Sequence, residues 1–422
     1  MNPKIVSLAV FLTAYILFVI FPHRRTWVAL AGSLLLVLTG ALSPKEACLA
    51  VNWNVMGIFV GTLVIADVFM QSRVPAYLAE MIVDRAKNTA WAILFICALS
   101  GFISAFVENV ATVLIVAPIA LALAKKLKMN PVNMMIAIAV SSNLQGAATL
   151  IGDPPSMLLG GFAKMNFGDF FFYRGRPSIF FAVEIGACAS FVVLYFIFKR
   201  YTAKIRLLPV EKVKSWVPTF LLVGLIVLLA LASFFDPGFG YLSGIICMVF
   251  AAAALVWERL ANKHTFFSSL KGLDWDTTLF LAGIFIIVGG LSLTGWIGVL
   301  ADYLAAMVGT NIFLGYTLIV FFSVLFSAFV DNVPFLAAML PVAIGMSDKL
   351  QIHPSLFLFG LLIGASLGGN ITPIGASANI VACGLLKKEG YHVRFGEFMK
   401  IGFPFTMAAV ISSYLFVWFV WK

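Results

Sequence analysis

The residues able to do chemistry are few and unusually placed. Glu108, Asp153 and Asp331 each stand inside stretches that are otherwise apolar for about the length of a membrane crossing. An unpaired carboxylate at such depth is expensive to hold, so coordinating a cation or carrying a proton is its default reading. Amides, hydroxyls and glycines surround the three acids in four short pieces. Glu108-Asn109-Val110-Ala111-Thr112 is the first, and Thr149-Leu150-Ile151-Gly152-Asp153-Pro154-Pro155-Ser156 is the second. Asp331-Asn332-Val333-Pro334 is the third, and Thr372-Pro373-Ile374-Gly375-Ala376-Ser377-Ala378-Asn379 is the fourth. Glycine and proline in the second and fourth break the helical hydrogen-bond ladder. A broken helix exposes carbonyls suited to a cation and N–H groups suited to an anion.

The four pieces are two copies of one pattern. A shift of 223 residues lays Phe329-Val330-Asp331-Asn332-Val333 over Phe106-Val107-Glu108-Asn109-Val110 without a gap. Pro118, Leu127 and Pro131 then meet Pro341, Leu350 and Pro354, while Gly146, Thr149 and Gly152 meet Gly369, Thr372 and Gly375. Paired interruptions in two halves are the sequence mark of a transporter site near the bilayer midplane.

The elements that must position these pieces follow from composition. Of 422 residues, 62% are hydrophobic and 11% charged, whereas a soluble chain carries about a quarter charged. The chain therefore reads as an all-α polytopic membrane protein. Spans fall near 5–21, 27–43, 53–70, 131–161, 178–198, 216–234, 241–257, 276–294, 354–385 and 400–421. Segments 90–124 and 312–347 instead read as re-entrant hairpins with the acid–amide pair at the tip. Their returning limbs, 112–124 and 334–347, would be about 20 Å long, too short to cross. The runs 131–161 and 354–385 read as broken helices, and 71–89 and 295–311 as arm helices along the interface.

Charge orients this plan. Of the 28 Lys and Arg, 21 fall on one side if the N-terminus is outside and both hairpins are re-entrant, the bias of the positive-inside rule. Both termini are then expected outside, and the basic linker 201–215 in the cytosol. The first hairpin is flanked by basic segments and the second is nearly free of them, as in an inverted-topology repeat. The net charge of +10 is thus a topology signal, and lipid and a small ion, not nucleic acid, are the expected partners. The 5 cysteines are scattered without a CxxC and the 4 histidines lie in or beside loops, so no disulfide framework and no His-built metal site is expected. Ile5–Phe21 lacks a basic leader and a cleavage site and reads as a retained first helix.

Each candidate also has a plain structural reading. Gly146, Gly369, Ser141, Ser142 and Ser366 allow close helix packing. Thr149 and Thr372 can bond back to their own helices, and Asn109 and Asn332 can cap the returning limbs. The acids could sit at a tip that reaches water or stay protonated. Asp67, Glu184 and Asp302 read as structural, and Lys164, Arg174 and Arg176 as a solvated loop.

Asn143-Leu144-Gln145-Gly146-Ala147-Ala148-Thr149-Leu150-Ile151-Gly152-Asp153-Pro154-Pro155 resembles the first signature of the arsenite-permease and NhaD-type sodium–proton antiporter branch of the ion transporter superfamily. Gly368-Gly369-Asn370-Ile371-Thr372-Pro373-Ile374-Gly375-Ala376-Ser377-Ala378-Asn379 resembles the second, and the chain is similar to the melanosomal P protein and its bacterial relatives. The resemblance implies an elevator-type homodimer. Scaffold parts 1–70 and 216–294 would hold transport-domain parts 90–200 and 312–422. Similarity to sodium-coupled dicarboxylate carriers implies one Na+ site at Asn109, Thr149 and Gly152 and another at Asn332, Thr372 and Gly375. Those carriers have Ser-Asn-Thr at their tips where this chain has Glu108 or Asp331, which favours cations or protons over an anionic substrate.

The expected function is ion-coupled secondary transport in a plasma membrane, a bacterial inner membrane first, with Na+ or H+ as coupling ion and no cofactor. Sodium–proton antiport or proton-linked anion transport is the first expectation, arsenite or another oxyanion the second, citrate or a dicarboxylate the third. A membrane-embedded diacid hydrolase using Glu108 and Asp331 and a passive channel are the remote alternatives; HExxH is absent, and no enzyme is expected.

Overall fold

The structure is a computed structural model that describes residues 2–203, 211–262 and 270–422. Residues 204–210 of the expected linker 201–215 lie outside the described residues. The first half runs α1 (Pro3–Ile20), α2 (Arg25–Leu38), α3 (Pro44–Ala50), α4 (Trp53–Gln71), α5 (Val74–Asp84) and α6 (Thr89–Ser104). It continues with α7 (Asn109–Lys126), α8 (Val132–Gly146), α9 (Pro154–Ala163), a small hairpin of β1 (Phe172–Tyr173) and β2 (Arg176–Pro177), and α10 (Ile179–Phe198). The second half runs α11 (Val217–Ala232), α12 (Leu242–Asn262), α13 (Trp275–Leu293), α14 (Trp296–Val308) and α15 (Ile312–Ser327). It ends with α16 (Asn332–Lys349), α17 (Ser355–Gly368), α18 (Ser377–Lys388) and α19 (Phe395–Trp421).

The offset found in the sequence recurs in the helix ends. Ser104 and Ser327 close α6 and α15, Asn109 and Asn332 open α7 and α16, and Phe198 and Trp421 end α10 and α19. Even the caps repeat: Asn88 and Asn311 each accept a backbone N–H, from Trp91 at 3.1 Å and Leu314 at 3.0 Å. Packing between the halves is reciprocal. The outer half-helix of each repeat, α9 or α18, lies against the returning limb of the other repeat's hairpin, α16 or α7. In the same way α4 packs on α12 and its counterpart α13 on α2. Such an exchange is what a pseudo-two-fold axis between two repeats produces.

The α4–α12 seam is tight because glycines bring backbones together. A Cβ on Gly61 would stand 2.6 Å from the Cys247 carbonyl, and one on Gly57 3.1 Å from Gly244 Cα. Close approach through small residues is how membrane helices gain packing contacts without a hydrophobic driving force.

Seven helices among the described residues are long and apolar enough to cross a membrane: α1, α4, α7, α10, α12, α13 and α19. Spans expected at 27–43 and 216–234 are shorter helices, α2 with 14 residues and α11 with 16. The runs at 131–161 and 354–385 are each two α-helices interrupted midway, the second by a short 3-10 turn, Gly369–Ile371, and the non-helical residues after it. The segments expected as arms hold the helices α5 and α14, each with a buried apolar stripe, Val74, Ala79 and Val83 in one and Ile297, Ala301 and Ala305 in the other.

One expectation needs correction. The returning limbs are not the short ones. α7 and α16 have 18 residues each, about 27 Å. The entering limbs α6 and α15 have 16 each, about 24 Å. The tip acid is the reason. Glu108 accepts the Ala111 N–H and Asp331 the Val333 N–H, both at 3.0 Å, so the helix starts at the asparagine. Pro118 and Pro341 remain inside these helices rather than ending them.

Candidate functional site

Each hairpin tip is built against the break in its own repeat. Asn109 is buried. Its Oδ1 accepts from Ser104 Oγ at 2.8 Å, and its Nδ2 donates to Asn143 Oδ1 at 3.1 Å. A Cβ on Gly146 would strike the Asn109 amide, so this glycine is needed for the tip to seat. Thr149 donates its hydroxyl to the Ala105 carbonyl, and Thr372 to the Ala328 carbonyl, the same bond in both repeats. Thr112 bonds back to the Glu108 carbonyl at 3.2 Å, as a helical threonine commonly does.

Behind each tip lies a nest of carbonyls. A Cβ on Gly375 would stand 2.6 Å from Gly369 O, 2.8 Å from Ser327 O and 2.9 Å from Ala328 O. A Cβ on Gly152 would meet the equivalent atoms, the carbonyl oxygens of Gly146, Ser104 and Ala105. These carbonyls come from the C-terminal ends of α6 and α8, or α15 and α17, where the helix dipole is negative. Ser156 and Asn379 occupy equivalent positions and both donate to this wall, Ser156 Oγ to Gly146 O at 3.3 Å and Asn379 Nδ2 to Gly369 O at 3.0 Å. Asn379 Oδ1 stays buried without a partner. The carbonyls approach so closely that only a glycine fits at each position. Thr149 and Gly152 stand at the first set, with Asn109 against Gly146. Thr372 and Gly375 stand at the second, with Asn332 on the wall of the cavities in front. Among the described residues no three His, Cys, Asp or Glu side chains are grouped to hold a metal, so carbonyl and hydroxyl oxygens would do the coordinating.

In front of the nests is a cavity of about 80 Å³. It brings together Glu108, Asn109, Asp153, Asp331, Asn332 and Ser377 from both repeats. Thr112, Thr149, Gly152, Ser156, Thr372, Gly375 and Asn379 are not on its wall; Gly375 instead faces a neighbouring vestibule of about 550 Å³. Asp153 caps α9, its Oδ1 accepting from Ser156 N at 3.0 Å, while Oδ2 lies beside Asn109 without a well-formed hydrogen bond. The second tip is tied less within its own repeat. Ser366, the counterpart of Asn143, has an unpartnered Oγ, and among the described residues no bond replaces the Asn109–Asn143 link.

Several site residues carry no signal in the repeat. Arg25 on α2 pairs with Asp331, donates to Thr277 Oγ1 at 3.1 Å, and lies 4.9 Å from the Phe280 ring centre. Tyr15 on α1 donates to the Pro334 carbonyl. Asp274 lines the same cavity and caps α13 through Thr277 N at 3.0 Å. Asn143 spans the two repeats, its Nδ2 donating to Ser366 O at 3.0 Å and to Asn370 Oδ1 at 3.1 Å. The asparagines stand inside the quoted signatures, so that signal was present. Arg25 read as a topology charge, and Asp274 stands at the edge of a span. Of the acids read as structural, Asp302 pairs with Lys349 at 2.8 Å and Asp67 accepts from Gln71 at 2.9 Å.

Two inverted repeats of helices, with two broken helices facing two hairpin tips across a polar cavity, define a membrane transporter. The chain belongs to the citrate transporter (CitMHS) family, whose profile matches residues 15–355 and 270–422. An uncharacterised transporter of Mycobacterium bovis is 30% identical over 98% of both chains, and one of Synechocystis is 28% identical over 98% of this chain and 97% of its own. The mouse P protein is 25% identical over 94% of this chain and 58% of its own length, in line with the resemblance read from the signatures. The fold is that of the YdaH transporter of Alcanivorax borkumensis, with a TM-score of 0.62 at 12% identity over 99% and 98% of the two chains. The efflux pump MtrF of Neisseria gonorrhoeae gives 0.60 at 15% identity over 92% and 84%.

Proposed function

We propose that this protein is an ion-coupled secondary transporter that exchanges a small cation, sodium first, for protons. One observation carries the reading: the cavity between the tips is lined by four carboxylates, Glu108, Asp153, Asp274 and Asp331, and a single cationic side chain, Arg25. Like charges so close favour bound cations or protons. At about 80 Å³ the space is that of two or three waters in the liquid. The glycine nests would hold the coupling ion, and the tip acids would take up and release protons. The exchange would run by an elevator movement of 90–200 and 312–422 against 1–70 and 216–294, in a homodimer seated in a bacterial inner membrane with both termini outside.

The name of the family favours a second reading, citrate or another carboxylate. Arg25 and the larger vestibule beside it support that reading, with protons or cations entering alongside the anion to balance the acids. Arsenite or a related oxyanion stands behind both.

Proteoliposomes containing the purified protein separate these readings. Sodium-driven proton movement, seen with an internal pH dye and abolished in Asn109→Ala, is the expected result. Accumulation of labelled citrate or arsenite without sodium–proton exchange would replace the first reading. Flux that never exceeds equilibration would make the protein a channel.

A further inference from the structure

A second cavity, unrelated to the tips, lies where β1–β2 meets the C-terminal end of α19 and the start of α17. Its volume is about 620 Å³. Arg174, Arg176, His353 and Lys422 reach it. Among the described residues none of the four is in an ion pair with a carboxylate. The rest of the wall is apolar: Ile312, Ile352, Leu356, Trp418 and Trp421.

The basic groups are held there. The β1–β2 turn has positive φ at both central residues, 49° at Arg174 and 76° at Gly175. Such turns strongly prefer Asn, Asp or Gly at the first position. An arginine there accepts a backbone region unfavourable to it, and its guanidinium lies 5.8 Å from the Tyr173 ring centre. Arg176 donates to the Val420 carbonyl at 2.8 Å and lies 5.9 Å from the Trp421 ring centre. Trp421 Nε1 in turn donates to Pro177 O at 3.1 Å. The charges converge: partial burial first, then the fields of Arg174 and Arg176, hold the His353 imidazole below its ordinary range. Two tryptophans and Tyr173 at one end of an apolar bundle mark the depth of a membrane interface.

A wall that joins basic groups to apolar and aromatic side chains matches an amphipathic anion: phosphate at the basic groups, acyl chain along the apolar ones. We propose that this cavity is a binding site for an anionic glycerophospholipid, its phosphate held by Arg174 and Arg176. A free phosphate offers the same charge and has no use for the apolar side chains, so the lipid is the occupant.

Native mass spectrometry of the full-length protein, titrated with dioleoylphosphatidylglycerol or dioleoylphosphatidylcholine, tests this. The expected result is selective retention of the glycerol lipid, weakened on the order of tenfold in Arg174→Glu. Arg176 also supports the α19 end, so Arg174, whose side chain lies over the Tyr173 ring, is the position for the primary variant, Arg174→Glu. A melting temperature in phosphatidylcholine equal to wild type verifies its folding, and Arg174→Lys should retain most of the binding. Equal retention of both lipids, or retention unchanged in Arg174→Glu, would overturn the site. Thermal stabilisation by inorganic phosphate as large as by the glycerol lipid would reassign it to a soluble anion and overturn the lipid.

Discussion

At the scale of single residues the site depends on what is missing: a side chain at Gly152 and Gly375. A methyl group at Gly375 would stand 2.6 to 2.9 Å from three backbone carbonyl oxygens, the groups proposed to face the coupling ion. All of these are backbone atoms, so the main chain must shift and the cost is at or above the usual overpacking range of about 1–3 kcal/mol. Gly152→Ala and Gly375→Ala should therefore melt below wild type and, where they still insert, lose most coupled flux in proteoliposomes. Substantial flux in both would remove the ions from the carbonyl nests. The carboxylates give a different readout. Glu108→Gln and Asp331→Asn keep the caps, since an amide oxygen still accepts the backbone N–H, and remove the charge, which at Asp331 also ends the ion pair with Arg25. Transport rates measured across pH and sodium concentration should shift in at least one of them. Superimposable profiles would leave the tip acids with capping alone.

At the scale of elements the two hairpins share one plan and differ in how they are tied. The first tip is locked inside its own repeat through Asn109, Ser104 and Asn143. The second lacks that link and is held from outside, by Arg25 and Tyr15. The difference was only partly legible in the sequence. The repeat showed in the polar tips, and the tips and breaks do meet, because residues 223 apart must satisfy the same local geometry. The Arg25–Asp331 pair joins residues 306 apart in non-equivalent elements, and no periodicity encodes such a contact. The limb lengths were misread for a related reason. Limbs bounded at 112–124 and 334–347 start after the acid–amide pairs, whereas the acid caps begin both helices at the asparagine and the helices run on to Lys126 and Lys349. If Arg25 is the tie, Arg25→Ala should free the second tip. In a background without the five native cysteines, a cysteine placed by Ser377→Cys should then react several-fold faster with a charged methanethiosulfonate reagent. Arg25→Lys should retain part of the protection. An unchanged labelling rate in Arg25→Ala would mean that the pair does not control access.

At the scale of the whole molecule, the reciprocal packing of the repeats implies two arrangements of similar energy, because exchanging the roles of the repeats generates the second from the first. Among the described residues, the side-chain hydrogen bonds between 1–70 and 312–422 are Arg25 to Asp331 and Tyr15 to Pro334. An elevator movement must break both. Joining them covalently should stop transport while leaving the site intact. In the cysteine-free background, Tyr15→Cys with Pro334→Cys brings two thiols to positions whose side chain and carbonyl are now in contact. A short bifunctional maleimide should cross-link them and abolish flux, and a cleavable linker should restore it on reduction. Each single variant treated in the same way should transport normally. Cross-linked protein that still carries sodium against protons would show that the second hairpin need not leave the scaffold. The cycle would then have to run through opening of the first tip alone, against the Asn109–Asn143 bond that the second repeat does not share.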